Sequence, residues 1–382
     1  MMPLESAERS ALLDSVRRFV ADRYPAASHL ARLQSDEHYD SERWVEIAEL
    51  GWLAGAVDES NGGHALGYGL QSELVEALAT GMPLEPFCSQ TSLIGYLLNG
   101  AIPSDSRNDL LQRWLGGSSI VAFAHHEVRT GPYFNSEVKA TYDPRGASFI
   151  LNGRKFAVID GGIADQLIVS CRSLDDPSLL KLFLVPSDCV GVRIERYRTF
   201  DGRDIADVVL SDVEVATDCC LEFAVDAAVL IESAQLLFTL FIASDTLGLT
   251  QTALRQTHAY LNDREQFGTK IANFQALQHR LVNMLLAVTR AESSLVIARQ
   301  TVDDVGLVGA SDGISAAKVS SAKAAMFVAQ EAIQLHGAIG MTDEYIVGHY
   351  FKRITANGLL AGTSDEHLSR FACLRGFDSN PT

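Results

Sequence analysis

The spacing of hydrophobic residues changes twice along the chain, and no other feature says as much about the fold. Up to about residue 117 apolar residues recur every three or four positions, as at Leu12, Val16 and Phe19, which predicts amphipathic helices. From residue 118 to 221 short β-branched and aromatic runs replace that pattern, and from residue 222 onward the helical spacing returns. We therefore expect an α+β protein with a helical domain at 1–117, a β-domain at 118–221 and a helical bundle at 222–382.

The central segment contains seven short runs of the residue types that favour strands. These runs are SSIVAFAHH, SFIL, KFAVI, QLIVSC, LKLFLVP, VRIERYR and DVVLSDVEV. Because no helical segment separates them, they predict an antiparallel barrel or sandwich and exclude a parallel sheet built from βαβ units. Between SFIL and KFAVI the pair Asn152-Gly153 is typical of a type I′ turn, so we expect a tight hairpin there.

Long helical runs fill the C-terminal segment. They cover about residues 225–263, 274–303 and 314–336, and Gly337 is a natural end for the last run because glycine tolerates a positive φ. The last run is also rich in alanine, which allows neighbouring helices to approach closely. Long helices with small-residue faces predict a four-helix bundle.

Charge and composition exclude several classes of protein. The 48 acidic residues outnumber the 31 basic ones, and a net charge of -17 repels nucleic acids and anionic lipid surfaces. The first ten residues lack the basic and apolar regions of a signal peptide, and acidic residues interrupt the apolar stretch 225–249. The six cysteines form no CxxC pair. We expect a cytoplasmic protein that neither binds nucleic acid nor inserts into a membrane.

Three motifs, one in the N-terminal segment and two in the C-terminal segment, resemble those of the acyl-CoA dehydrogenase family. ELGWLAG followed by DESNGGHALG resembles the N-terminal signature of that family. REQFGTKIANFQALQHRLVNM resembles the segment that opens its C-terminal bundle, and QLHGAIGMTDEYIVGHYFKR resembles its second signature. The resemblance covers almost the whole chain. Its C-terminal half is most similar to the small subunits of pimeloyl-CoA-type dehydrogenases, which often assemble from two unlike chains.

The resemblance implies FAD-dependent α,β-dehydrogenation of an acyl-CoA thioester. In that reaction a carboxylate removes the α-proton, the β-hydrogen leaves as hydride to the flavin, and an electron-transfer flavoprotein takes the electrons. The resemblance also implies a tetramer, either of identical chains or with a paralogous subunit. Two alternatives stay open: a non-catalytic subunit that completes the FAD site of a heterotetramer, and a flavin monooxygenase or acyl-CoA oxidase on the same fold.

The resemblance also indicates which residues would bind FAD. Arg264 matches the arginine that family members place on the FAD pyrophosphate of a neighbouring subunit, where a guanidinium fork suits two phosphate oxygens. The other candidates are Gln266, Phe267 and Gln275 for the adenine and ribose, Gln334, Gly337 and Gly340 in a glycine loop, and Thr363 as a hydroxyl donor. Each has a structural alternative, namely a surface ion pair, interface packing, or the cap of a helix.

The catalytic base is where this chain departs most from the family pattern. The usual glutamate precedes Gly-Thr, and Ala361 occupies that position here. A second group of members carries the base on the first long bundle helix, at a position that corresponds to Phe238. Neither residue can accept a proton.

Two acidic residues on that first bundle helix remain as candidates, Asp245 and Glu232. They are 13 residues apart, about 220° around a helix, so they cannot share a site. Asp245 stands where pimeloyl-type small subunits carry an acidic residue, and a carboxylate within the apolar run FTLFIASDTLGL needs a reason. The alternatives are that Ser244 or Asp245 caps a helix that restarts at Thr246, that Asp245 pairs with a bundle arginine, or that this chain holds no base.

The β-domain also differs from the family at two flavin-contacting positions. The tryptophan and threonine that members place near the flavin correspond to Ala157 and Ile159, although the turn 160–162 is kept. On the strand before it, adjacent His125 and His126 point to opposite faces and therefore do not suit a metal. The resemblance favours instead a polar contact from one of them with the edge of the flavin ring.

Overall fold

The computed structural model describes residues 6–127, 138–143, 147–173 and 179–377, and these residues form two compact units. The bundle unit comprises the chain up to Asp36, Leu66–Pro83 and the chain from Leu236 onward. The sheet unit comprises Glu37–Ala65 and Leu84–Gln235. Along the chain, helices come first, then strands, then helices again, as the changes of hydrophobic spacing predict.

The helices and strands follow in chain order. The helices are α1 (Ser6–Arg23), α2 (Ala26–Gln34), α3 (Ser41–Glu49), α4 (Tyr68–Ala79), α5 (Phe87–Ser89), α6 (Gly95–Gly100), α7 (Asp105–Leu115), α8 (Ala227–Asp263), α9 (Gln275–Gly309), α10 (Ser311–His336), α11 (Ile346–Leu359) and α12 (Ser364–Leu374). The strands are β1 (Val121–Ala124), β2 (Lys139–Asp143), β3 (Ser148–Ile159), β4 (Gln166–Ser173), β5 (Leu180–Pro186), β6 (Val192–Arg198), β7 (Asp204–Ala216), β8 (Cys220–Leu221), β9 (Glu265–Gln266) and β10 (Thr269–Lys270). A π-helical turn, Gln90–Ile94, joins α5 to α6.

Eight strands of the sheet unit form one mixed sheet. Their order is β6-β7-β3-β2-β4-β5-β8, and β1 pairs with β4. The path ends at β6 and β8, so these strands form an open sheet rather than the closed barrel that was one of the two expectations. The expectation of purely antiparallel pairing is also corrected, because β1 and β2 both run parallel to β4. The chain between β1 and β4 is long enough for such a crossover.

The hairpin expected at Asn152-Gly153 is wrong, because β3 runs unbroken through both residues. β7 pairs with both halves of β3, so the two halves have no need to pair with each other. Gly153 has a φ of +142° and lies at a shift in the register of that pairing. The glycine therefore serves a β-bulge, and the side chain of Asn152 exchanges hydrogen bonds with Asp212 across it, at 2.8 and 3.0 Å.

Five long helices, α8 to α12, dominate the bundle unit, and the first three match the predicted runs within a few residues at each end. α10 ends at His336, as predicted, and Gly337 follows with a φ of +67°. α8 is continuous through residue 245, so the expected helix restart at Thr246 does not occur. By length and composition α8 and α9 could each cross a membrane, but 78% of the apolar window of α8 is buried, as in a core helix.

Candidate active site and cofactor-binding surface

Asp245 lies in the middle of α8 and is only 8% exposed. The side-chain amide of Asn357, on α11, donates to Asp245 Oδ2 at 2.6 Å and to the hydroxyl of Thr246 at 3.1 Å. One alternative for Asp245 was an ion pair with a bundle arginine, and the structure provides this amide instead. In the part of the chain that the structure describes, no group donates to Asp245 Oδ1. One oxygen is therefore held in place while the other stays available.

Lys318, on α10, adds a second charge to this cluster and is only 1% exposed. Its Nζ donates to the backbone carbonyl of Asn357. That carbonyl lies near the C-terminus of α11, where the helix dipole favours a cation. One asparagine thus contacts a buried anion with its side chain and a buried cation with its backbone.

The loop that would carry the usual family base lies between α11 and α12. Ala361 has a φ of +57°, and its carbonyl lies 2.7 Å from Nε2 of the buried His367. Because a carbonyl only accepts, Nε2 carries the hydrogen, and the hydroxyl of Ser315 lies 3.2 Å from Nδ1. Burial lowers the pKa of His367, which favours the neutral ring. The loop is therefore well anchored, but it offers no carboxylate.

Phe238 and Glu232, the other two positions considered for the catalytic base, also lie on α8. Phe238 is buried and brings no titratable group. Glu232 belongs to the part of α8 that lies in the sheet unit, and its side chain is partly exposed. Asp245 is the buried carboxylate of the helix.

Thr363 is the N-cap of α12. Its hydroxyl accepts from the Glu366 backbone at 3.3 Å and lies 3.0 Å from the Glu366 carboxylate, which in turn accepts from the Thr363 backbone at 2.7 Å. These reciprocal bonds form a capping box. Thr363 therefore caps a helix, as one of the two interpretations of this residue predicts. Its contact with FAD stays a prediction.

Arg264 introduces a short hairpin that follows α8. β9 and β10 pair through a turn at Phe267 and Gly268, whose φ values are +55° and +75°. Two successive positive values are those of a type I′ turn, and they leave the Phe267 side chain 92% exposed. The exposed Arg264 side chain makes no hydrogen bond or ion pair with any described residue. The side-chain amide of Gln266 donates to the Glu265 carbonyl at 2.7 Å.

A glycine loop follows α10 and lies beside the base of this hairpin. Tyr260, one helical turn before Arg264, stacks on the His336 ring at 4.4 Å and donates to its carbonyl at 3.3 Å. Gly337 is exposed and a Cβ there would meet nothing within 4 Å, whereas a Cβ on Gly340 would lie 3.0 Å from His336. The first glycine is needed for its positive φ and the second for close packing.

Most of the predicted FAD-binding residues therefore gather at one end of the bundle unit. They are Arg264, Gln266 and Phe267 on the hairpin, Gln275 at the start of α9, and Gln334, Gly337 and Gly340 at the end of α10. An exposed guanidinium that pairs with no described residue, and a glycine beside which there is open space, are a suitable surface for a pyrophosphate and its nucleoside. The bonds of Thr363 instead hold α12.

In the sheet unit, the position of the flavin-stacking tryptophan is a bulge. Ala157 has a φ of +50°, is exposed, and donates its backbone N–H to the carboxylate of Asp207 at 3.0 Å. Ile159 is half-buried two residues later. This strand end therefore presents a small side chain where the family presents a ring.

A buried ion pair that the sequence reasoning missed fixes the chain next to this bulge. Lys155 donates to the Glu127 carboxylate, to the Ser170 hydroxyl at 3.0 Å and to the His125 carbonyl at 3.2 Å. Burial lowers the pKa of Lys155, and Glu127 opposes that effect. The second carboxylate oxygen of Glu127 accepts from the Val138 backbone at 2.9 Å. The sequence signal for this ion pair is Lys155, which opens the apolar run KFAVI.

The turn after β3 contains a second buried acid. The Ser89 hydroxyl, on α5, donates to Asp160 Oδ2, and the Asp160 backbone donates to the Asp204 carbonyl at 3.1 Å. Burial raises the pKa of Asp160 to about 7. The Asp204 carboxylate accepts from Gly162 at 2.7 Å and pairs with Arg196 at 2.7 Å, and Nδ1 of His38 lies 2.6 Å from it.

The outer face of α9 is apolar and exposed. Only 28% of its apolar 18-residue window is buried, compared with 78% for α8. Its exposed large apolar side chains include Val282, Leu285, Leu286, Val296 and Ile297. They recur at helical spacing along one face, which is typical of a helix that packs against another chain.

Comparison with known proteins agrees with this architecture. The acyl-CoA dehydrogenase N-terminal domain model matches residues 6–117, and the C-terminal domain model matches residues 239–372. Acyl-CoA dehydrogenase FadE12 of Mycobacterium tuberculosis is 29% identical over 359 residues, which cover 90% of this chain and 89% of that protein.

Solved structures share the fold of this chain. The ChsE4-ChsE5 complex from Mycobacterium tuberculosis matches with a TM-score of 0.83 and 22% identity over 100% of both chains. A glutaryl-CoA dehydrogenase from Mycobacterium smegmatis in complex with FADH2 matches with a TM-score of 0.86 and 23% identity, over 99% of this chain and 97% of that one.

An N-terminal helical region, a central mixed sheet and a C-terminal bundle define the acyl-CoA dehydrogenase fold, and the two family models together match more than half of the sequence. The chain belongs to the acyl-CoA dehydrogenase family. The pimeloyl-CoA subtype stays a prediction.

Proposed function

We propose that the chain dehydrogenates an acyl-CoA thioester with bound FAD and passes the electrons to an electron-transfer flavoprotein. Family membership supports the reaction, and the surface formed by Arg264 and the glycine loop fits the pyrophosphate half of FAD. The observation that carries the proposal is the buried Asp245, with one oxygen fixed by Asn357 and the other without a donor among the described residues.

In this proposal each group of residues has its own task. Bound FAD supplies the acceptor for the hydride that leaves the β-carbon. Asp245 Oδ1 removes the α-proton, and Asn357 keeps the carboxylate oriented for that transfer. The guanidinium of Arg264 pairs with the pyrophosphate, and Gly337 allows the backbone to approach it.

We further propose that the active form is a tetramer. Arg264 and Phe267 are exposed on the described bundle unit, so they suit a cofactor or surface on a neighbouring chain. The exposed apolar face of α9 likewise suits packing against a neighbouring chain. In this proposal the partner is a second copy of this chain. Assembly only with a paralogous chain would contradict it.

The Asp245→Asn variant tests the base. We expect turnover with a panel of straight and branched acyl-CoA thioesters to fall by about 10²- to 10⁴-fold, the usual contribution of a general base, while FAD content stays unchanged. The exposed Asp304→Asn on α9 is the matched control and should retain activity. Full activity in Asp245→Asn would remove this residue as the base.

A second candidate is the non-catalytic subunit of a heteromer. The absence of an acid at Ala361 and Phe238 and the small side chain at Ala157 favour it, and ChsE4-ChsE5 is a similar structure described as a complex. The visible absorption spectrum of the chain purified alone separates the two. A full flavin band per subunit with acyl-CoA-dependent bleaching supports the first proposal, and a colourless chain that gains flavin only with a paralogue supports the second.

A further inference from the structure

The charged cluster in the middle of the bundle unit contains more than the proposed base. Asp245 on α8 and Lys318 on α10 carry opposite charges, are both almost fully buried, and both contact Asn357 on α11. Asp245 is reached by the side-chain amide and Lys318 by the backbone carbonyl of the same residue.

A buried charge is destabilising unless a partner compensates it, and a buried pair is tolerated when further hydrogen bonds complete its geometry. Asn357 provides that link, because its amide donates to the anion while its carbonyl accepts from the cation. The bond from Lys318 also fixes the last turns of α11, which sets the position from which the amide reaches Asp245. Loss of either contact would leave the carboxylate with a different orientation.

We propose that Asn357 and Lys318 are positioning residues for Asp245: the Asn357 amide holds Oδ2 so that Oδ1 faces the substrate, and Lys318 holds Asn357. This inference rests on the proposed function. The hydrogen bond from the amide fixes the plane of the carboxylate, and the bond from Lys318 to the Asn357 carbonyl fixes the position of that amide.

The test is the change in kcat and in KM, measured separately, in Asn357→Leu and Lys318→Met. Because the Asn357 amide orients the carboxylate for proton transfer, kcat of Asn357→Leu should fall by about 10- to 100-fold, the equivalent of one hydrogen bond to a charged group, while KM and FAD content stay near the wild-type values. Lys318→Met should lower kcat in the same way. The exposed Lys323→Met on the same helix is the matched control and should leave both constants unchanged. A rise in KM with kcat unchanged, or a loss that only follows the amount of folded protein, would mean a purely structural role and overturn the inference.

A second measurement does not depend on activity. Thermal midpoints of Asp245→Asn, Asn357→Leu and the double variant form a cycle, and a real contact makes the double loss smaller than the sum of the single losses. Additive losses would overturn the inference even in an active enzyme. If the wild-type protein oxidises no acyl-CoA thioester, the proposed function fails, and the cycle still decides whether Asn357 and Asp245 act together.

Discussion

Replacement of Asp160 by asparagine should change how the stability of the protein depends on pH. Asp160 is buried after β3, accepts from the Ser89 hydroxyl, and has a pKa raised to about 7 by burial, with the neighbouring Asp204 charge adding to the rise and Arg203 opposing it. The ordinary value is 3.8. Between these two values the folded protein keeps a proton that the unfolded chain has released.

The sign and size of the effect follow from this difference. Because the folded pKa of Asp160 is the higher one, its contribution to stability is complete below pH 3.8 and is lost as pH rises towards 7. The loss is at most about 1.4 kcal/mol per pH unit and becomes less steep near pH 7, which gives about 2 kcal/mol between pH 5 and 7. The amide in Asp160→Asn has the same shape and stays neutral throughout, so the variant should lose this slope.

Urea unfolding followed by circular dichroism at pH 5, 6, 7 and 8 measures the effect directly. Relative to wild type, Asp160→Asn should gain about 2–3 kcal/mol in the free energy of unfolding between pH 5 and 8. The exposed Asp188→Asn provides the control, since it should follow the wild-type curve. A stability difference between Asp160→Asn and wild type that does not vary with pH would refute the reasoning.

Three further results are expected. Lys155→Met should lower the free energy of unfolding by about 3–5 kcal/mol, because Glu127 would be left as an uncompensated buried charge; a loss under 1 kcal/mol by urea unfolding would contradict this. Arg264→Leu should weaken FAD retention on dialysis without changing the thermal midpoint of the apoprotein, whereas Arg290→Leu, on the exposed side of α9, should retain FAD like wild type. Phe267→Ser should shift sedimentation towards smaller species, and an unchanged assembly would show that this side chain lies outside the interface.

The sequence predicts the elements of the fold well where a local signal is sufficient. The helical period predicts α8, α9 and α10, and Gly337 marks the end of α10. Asn152-Gly153 failed because a turn signal is local, whereas the continuous strand depends on pairing with β7, some sixty residues later. The parallel pairs with β4 were missed for the same reason.

The candidate site shows the same boundary between local and long-range information. Asp245 was recognisable as an acid in an apolar run, but its partner Asn357 lies 112 residues away and is reached only after α8 and α11 pack. Lys318 gave no signal, since a lysine on a helix usually reaches water. The hairpin that carries Arg264 and Phe267 is exposed, and its contact with FAD remains a prediction.

The apolar outer face of α9 would make protein concentration part of the folding equilibrium in the proposed assembly. There a partner covers the apolar surface that α9 leaves exposed within its own chain, and mass action links the stability of the folded chain to the amount of partner present. Newly made chains that find no partner expose the same face to other proteins and to proteases. In the proposed assembly the amount of partner therefore affects the survival of the chain as well as its activity.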